Sequence, residues 1–216
     1  MNSMFSSAEA FNQPLNGWDV SNVENMDRMF WFARNFDQPL TDWNVSKVTD
    51  MSYLFASSGY TQPLNGWNVS NVTNMKGMFS STSYDQSLDQ WDVSNVTNMS
   101  AMFSTAQKYS KSLNMWDVSN VKDMSRMFST TSHNQSLDQW DVSNVTNMSE
   151  MFFNSYGFKQ PLYMWDVSKV TNMQGMFKYA SYDQDISNWN TASLLDGTRF
   201  AQASFPDNFM PPRTSK

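Results

Sequence analysis

The chain contains no cysteine, which removes disulfides, thiol catalysis and cysteine-ligated zinc together. Glycine is scarce at 7 residues and histidine is single. No Gly-rich phosphate loop, G-x-S-x-G elbow or H-E-x-x-H pair is present, so the sequence predicts a protein that is not an enzyme and needs no cofactor. Positive charge is also short, with 14 Lys and Arg against 20 Asp and Glu, a net charge of −6 and a pI near 4.6. That balance argues against a nucleic-acid partner. Apolar runs never approach the ~18 residues of a membrane-spanning helix. The first ten residues carry neither a basic start nor an apolar stretch, and read as no signal peptide.

What is present is aromatic and periodic. Hydrophobic residues make up 40% of the chain and aromatics 15%, enough for a core and against disorder. Methionine, at 18 residues, would fill much of that core, since its flexible thioether packs irregular gaps. Eight tryptophans recur at intervals of 24 or 25 residues: Trp18, Trp43, Trp67, Trp91, Trp116, Trp140, Trp165 and Trp189. Trp31 alone lies outside this register. A Leu or Ile stands three residues before each, from Leu15 to Ile186, and a Phe, Tyr or His seven before, with His133 in that column. Valines follow at two and five residues, a methionine at eight and a Met-Phe or Leu-Phe pair at eleven and twelve. The unit reads F/Y-x-Q-P/S-L-x-x-W-D/N-V-S-N-V-T-N-M-x-x-M-F. Its one-residue length change always falls between the Met-Phe pair and the next aromatic. Such columns define a repeat architecture in which each residue stacks on its own copy.

The period suits a leucine-rich-repeat-like solenoid of right-handed coils, about eight repeats over residues 1–200, with 201–216 as a C-terminal cap and tail containing Phe205, Phe209 and Pro212. Within a coil, F-x-Q-x-L alternates like a short parallel strand. V-x-x-M-x-x-M-F has the spacing of a short helical or 3-10 turn, and D-V-S-N reads as a turn between them. Columns of Asn, Gln and Thr are expected to form side-chain ladders that satisfy turn backbone groups. The first Met-x-x-Met-Phe unit, Met1 to Phe5, lacks an upstream half, which predicts truncation, a partner, or end-to-end self-association through the N-terminal coil.

With these columns in place, the sequence resembles a bacterial surface-protein repeat family of mycoplasma-type lipoproteins and related cell-wall proteins. Its hallmark, W-D-V-S-N-V-T-N-M-x-x-M-F, stands here as Trp91 to Phe103. The resemblance runs from about Met1 to Trp189. It implies a relation to BspA-like leucine-rich repeats, display at the cell surface or outside the cell, and adhesion in some members, with no catalytic residues.

Two columns invite a chemical reading. The Asp or Asn after each tryptophan could hold calcium between coils, but the Asp/Asn interchange favours an Asx turn and predicts no metal site. The threonine column Thr49, Thr73, Thr97, Thr146 and Thr171 is broken by Glu24 and Lys122, which spoils a flat ice-binding array. Candidate binding residues are instead those that depart from the consensus. Met115, Tyr163 and Met164 are apolar between Leu and Trp where other coils are polar. Trp31 and Phe32 stand outside the columns, and Asp37, Asp85, Asp89 and Asp138 add negative charge. These predict a broad face for a protein partner or polymer surface.

Overall fold

The computed structural model describes residues 1–201 and 206–211. Successive repeats stack in register, one on the next. Parallel bridges join Asn25 to Asp50, Asp50 to Asn74, and so on through Asn98, Asp123, Asn147 and Asn172 to Asp196. Starting each coil at the methionine after this column gives coil 1 as 1–25, then 26–50, 51–74, 75–98, 99–123, 124–147, 148–172 and 173–196.

Each coil is a closed course of tight turns rather than a strand plus a helix. The carbonyl of Leu40 takes the N–H of Trp43, that of Val45 the N–H of Val48, that of Met26 the N–H of Met29 and that of Phe30 the N–H of Ala33. The expected helical segment is thus corrected. Turns closed every three residues share the i, i+3 apolar spacing of a 3-10 helix, but here the chain enters the left-handed region twice per coil. Arg28 and Phe32 have φ of 54° and 57°, and the corresponding residues in later coils, such as Tyr53 and Ser57, do the same. A positive φ at the third position is what a type II turn requires. It turns alternate N–H groups out of the coil: those of Met26, Arg28, Phe30 and Phe32 bond the carbonyls of Asp50, Ser52, Leu54 and Ala56, each 24 residues further along the chain. Left-handed Arg or Phe is costly alone; inter-coil bonds on both flanks offset that cost.

The expected strand is also corrected: among the described residues, no strand is present and one 3-10 turn, Asp207–Phe209, is the only helical element. At F-x-Q-x-L the inter-coil bonds are made by side chains. Asn12 Oδ1 accepts the N–H of Asp37 (3.0 Å), Asp37 Oδ1 that of Thr61 (2.7 Å), Asp85 Oδ1 that of Ser110 (2.8 Å) and Asn134 Oδ1 that of Lys159 (2.9 Å). A segment that often carries proline cannot sustain a backbone ladder.

The core is a set of parallel files. Phe30, Phe55, Phe79, Phe103, Phe128, Phe152 and Phe177 stack at centroid spacings between 5.5 and 6.0 Å. Trp43 on Trp67 (6.3 Å) and Trp140 on Trp165 (6.5 Å) belong to a second file, and Phe36 on Tyr60 (6.0 Å) to a third. From Met26 to Met176 the methionines of the two repeat columns, such as Met75 and Met78, are fully buried beside them. Each tryptophan from Trp43 onward donates its indole N–H to the leucine carbonyl of the preceding coil, as Trp91 does to Leu64 at 3.0 Å. Trp18, in the first coil, is 38% exposed and has no such carbonyl.

The polar ladders run along the outside. Thr73 Oγ1 bonds the carbonyl of Thr49 and Asn95 Nδ2 the carbonyl of Ser70, one coil back. Leu194 in the eighth coil, and Phe200, Ala201 and Met210 after it, pack on the end of the core. Of the expected cap and tail, Phe205 and Pro212 lie outside the described residues.

Candidate functional site

The single histidine sits in the third aromatic file. His133 is 1% exposed and stacked on Phe128 at 4.6 Å and on Tyr109 at 6.1 Å. Burial lowers its pKa from 6.5 to about 4, against a smaller opposing effect of the Tyr109 backbone, so the ring is neutral near pH 7. Neither ring nitrogen meets a hydrogen-bond partner of good geometry. It packs as an aromatic within the file.

The carboxylate column after the tryptophans is spent on its own turns. Asp92 Oδ1 accepts the N–H of Ser94 at 3.1 Å and its hydroxyl at 2.6 Å; Asp19, Asn44, Asn68, Asp117, Asp141, Asp166 and Asn190 each accept the N–H two residues on. Hydrogen bonds from Ser94 and Ser168 hold the Asp92 and Asp166 carboxyls below the usual range. These are Asx turns. Among the described residues no three acidic, His or Cys side chains converge as a metal would need.

The structure separates the nine residues singled out from the sequence. Asp37 and Asp85 brace one coil to the next, and Asp85 also pairs with Lys111 at 3.1 Å. Asp89 and Asp138 brace the loop between Leu and Trp: each accepts an amide from the preceding coil, Asn65 at 2.9 Å and Asn114 at 2.8 Å, and a hydroxyl from Ser87 or Ser136. Trp31 and Phe32 lie half-buried on the Met-Phe turns. Their rings meet edge to face at 4.9 Å, and the Arg34 guanidinium sits 5.5 Å from the Phe32 ring. The remaining three face solvent on the Leu–Trp loops: Met115 at 83% exposure, Tyr163 at 53% and Met164 at 68%.

Two shallow clefts open beside those three. One, of about 290 Å³, runs along Asn114, Met115, Asp117, Gln139 and Asp141. The other, of about 360 Å³, is walled by Pro161, Tyr163, Gln184, Asp185, Ser187 and Asn188. Sequence reasoning missed a further group. Tyr156, Tyr179 and Leu195 are exposed, and Tyr179 meets Phe153 edge to face at 5.4 Å with Lys178 over its ring. The signal was available: Tyr179 replaces the small polar residue of Ser57, Ser81, Thr105, Thr130 and Asn154, and Leu195 replaces the column threonine.

Stacked coils with shared columns define a tandem-repeat protein. The family described as "Mycoplasma protein of unknown function, DUF285" matches residues 1–62, 56–137 and 129–208, and the chain belongs to it. No curated protein and no solved structure gave a match. No helix among the described residues is long and apolar enough to cross a membrane.

Proposed function

We propose that the chain is a non-catalytic binding module of a solenoid kind, displayed at a cell surface and used for adhesion or protein–protein contact. One observation carries this reading. The repeated residues are absorbed by the core and the inter-coil ladders, whereas departures from the repeat leave apolar side chains in water, as at Met115, Tyr163 and Met164. Exposed apolar groups clustered on an otherwise polar surface favour contact with a partner. The burial of the single histidine and the commitment of Asp92 and its counterparts to turns support a binding role over a catalytic one. The test is retention of chain-coated beads on cultured cells and on purified matrix proteins. Retention above that of beads coated with an unrelated acidic protein supports the reading; retention equal to that control on every surface refutes it.

A second reading is assembly of copies through the first coil, where the Trp18 ring is 38% exposed. Sedimentation equilibrium distinguishes it, because assembly predicts a concentration-dependent mass that Trp18→Asp abolishes, and a constant monomer mass excludes it. Carbohydrate or polymer binding is a third reading, supported by Tyr163 over a polar cleft and tested on a glycan panel.

A further inference from the structure

The Leu–Trp loops follow a two-coil rule. In coils 1, 3 and 5 an asparagine clamps the next coil: Asn16 Nδ2 bonds Asp42 at 2.6 Å, Asn65 bonds Asp89 at 2.9 Å and Asn114 bonds Asp138 at 2.8 Å. The same asparagines accept, through Oδ1, the N–H of Asp42, Gln90 and Gln139. The residue after the clamp is glycine in coils 1 and 3, Gly17 and Gly66, each with open space around it. Coil 5 places Met115 there, and coil 7 replaces clamp and glycine together with Tyr163 and Met164. Across that last junction the Tyr163 carbonyl takes an amide from Asn188 at 2.7 Å. The fold therefore has no need of these three side chains, and they stand beside the two clefts.

The surroundings are acidic. Asp117, Asp138, Asp141, Asp166 and Asp185 line or flank the edge, and all are exposed. Lys169, beside Asp141 and Asp166, is engaged with Asn144 Oδ1 at 2.7 Å, and Lys111 and Lys159 pair with Asp85 and Asp183 at 3.1 Å. Two of the three apolar groups are thioethers, which adapt to varied side chains but offer no flat ring for a sugar to stack on. Met115 and Met164 are two coils apart, roughly 10 Å at the spacing of hydrogen-bonded extended chains. An extended peptide rising about 3.1 Å per residue covers that span in about three residues, bringing every third side chain to the same face.

We propose, resting on the binding-module reading, that the Leu–Trp edge of coils 5–8 binds an extended basic peptide segment with apolar residues three apart, seated against Met115, Tyr163 and Met164. The probe is a fluorescein-labelled peptide of three Lys-Pro-Leu triplets, followed by anisotropy, beside the same peptide with Glu for Lys. The Lys peptide should bind at least about tenfold more tightly than the Glu peptide and weaken with added salt. The combined variant Met115→Gly, Tyr163→Asn and Met164→Gly restores the residues of coils 1 and 3. It should keep the wild-type melting temperature and lose binding by at least about tenfold. Equal affinity for the two peptides, binding unchanged in a folded variant, or displacement by a neutral oligosaccharide would each overturn the proposal. So would the absence of saturable Lys-peptide binding. If bead retention persists under any of these outcomes, the binding-module reading survives and only this edge and partner are wrong.

Discussion

Replacing His133 with phenylalanine should change how the protein responds to acid. The imidazole lies in the aromatic file between coils, with a pKa pushed down to about 4 by burial. In the unfolded chain it would titrate near 6.5. Between those values the unfolded chain takes up a proton that the folded chain refuses, so stability rises with pH across the window and falls as pH drops through it. Above about pH 6.5 both states are neutral and the difference vanishes; below about pH 4 both are charged and the loss is complete. The full loss is on the order of 3 kcal/mol, and most of it is already present at about pH 4.5. Carboxylates titrate in the same range, but they are common to wild type and His133→Phe and cancel in the difference. The assay is denaturant unfolding of both proteins at about pH 7.5 and about pH 4.5, followed by tryptophan fluorescence. His133→Phe should gain about 2–3 kcal/mol on wild type between the two conditions. Parallel acid losses in the two proteins would refute the buried, neutral imidazole.

Other substitutions probe other parts of the coil. Trp91→Phe removes the indole bond to Leu64 and leaves a gap in the file, at a cost of about 2–3 kcal/mol in unfolding free energy, whereas Trp18→Phe, half in water and unbonded, should cost less than about 1 kcal/mol. Ala101, held at a φ of 55°, should gain about 1 kcal/mol as Ala101→Gly, because the left-handed conformation is free for glycine, as coil 4 already has at Gly77; thermal melting reads this directly. The Tyr109 hydroxyl is buried without a hydrogen-bond partner and its pKa is driven upward by burial. Tyr109→Phe should therefore be neutral or stabilising by up to about 1 kcal/mol, and a loss of that size would point to a partner in solution.

How much of this could be read in advance depends on which signal carried it. Spacing alone gave the coil period, the Trp, Val and Met columns, the D-V-S-N turn and the packing role of His133. It could not give the backbone path, because apolar residues at i, i+3, i+6 and i+7 suit both a 3-10 helix and successive reversing turns. The left-handed positions that decide between them carry Arg28, Tyr53, Ala101 and Glu150, none of which advertises a positive φ. The F-x-Q-x-L segment looked like a strand because its alternation reports only which side chains point inward. Its outward Asp37 and Asp85 were read as charge for a partner, but they accept the next coil's N–H. Met115, Tyr163 and Met164 were legible as breaks in a polar column. Tyr179 broke its own column equally plainly, one that became visible once the turns fixed its register.

Disulfide trapping tests the stacking most directly, and the cysteine-free chain supplies a clean background. Thr73 and Thr97 occupy one exposed column in adjacent coils, and the N–H of Thr97 bonds the carbonyl of Thr73 at 2.9 Å. Their Cα atoms should lie about 5 Å apart, within the about 4.4–6.8 Å that a disulfide spans. Under mild oxidation at low protein concentration, Thr73→Cys with Thr97→Cys should close an intramolecular bridge almost completely, and Thr49→Cys with Thr97→Cys, two coils apart, should stay reduced. Equal closure in both pairs, or closure only in the distant pair, would contradict a stack of coils in register.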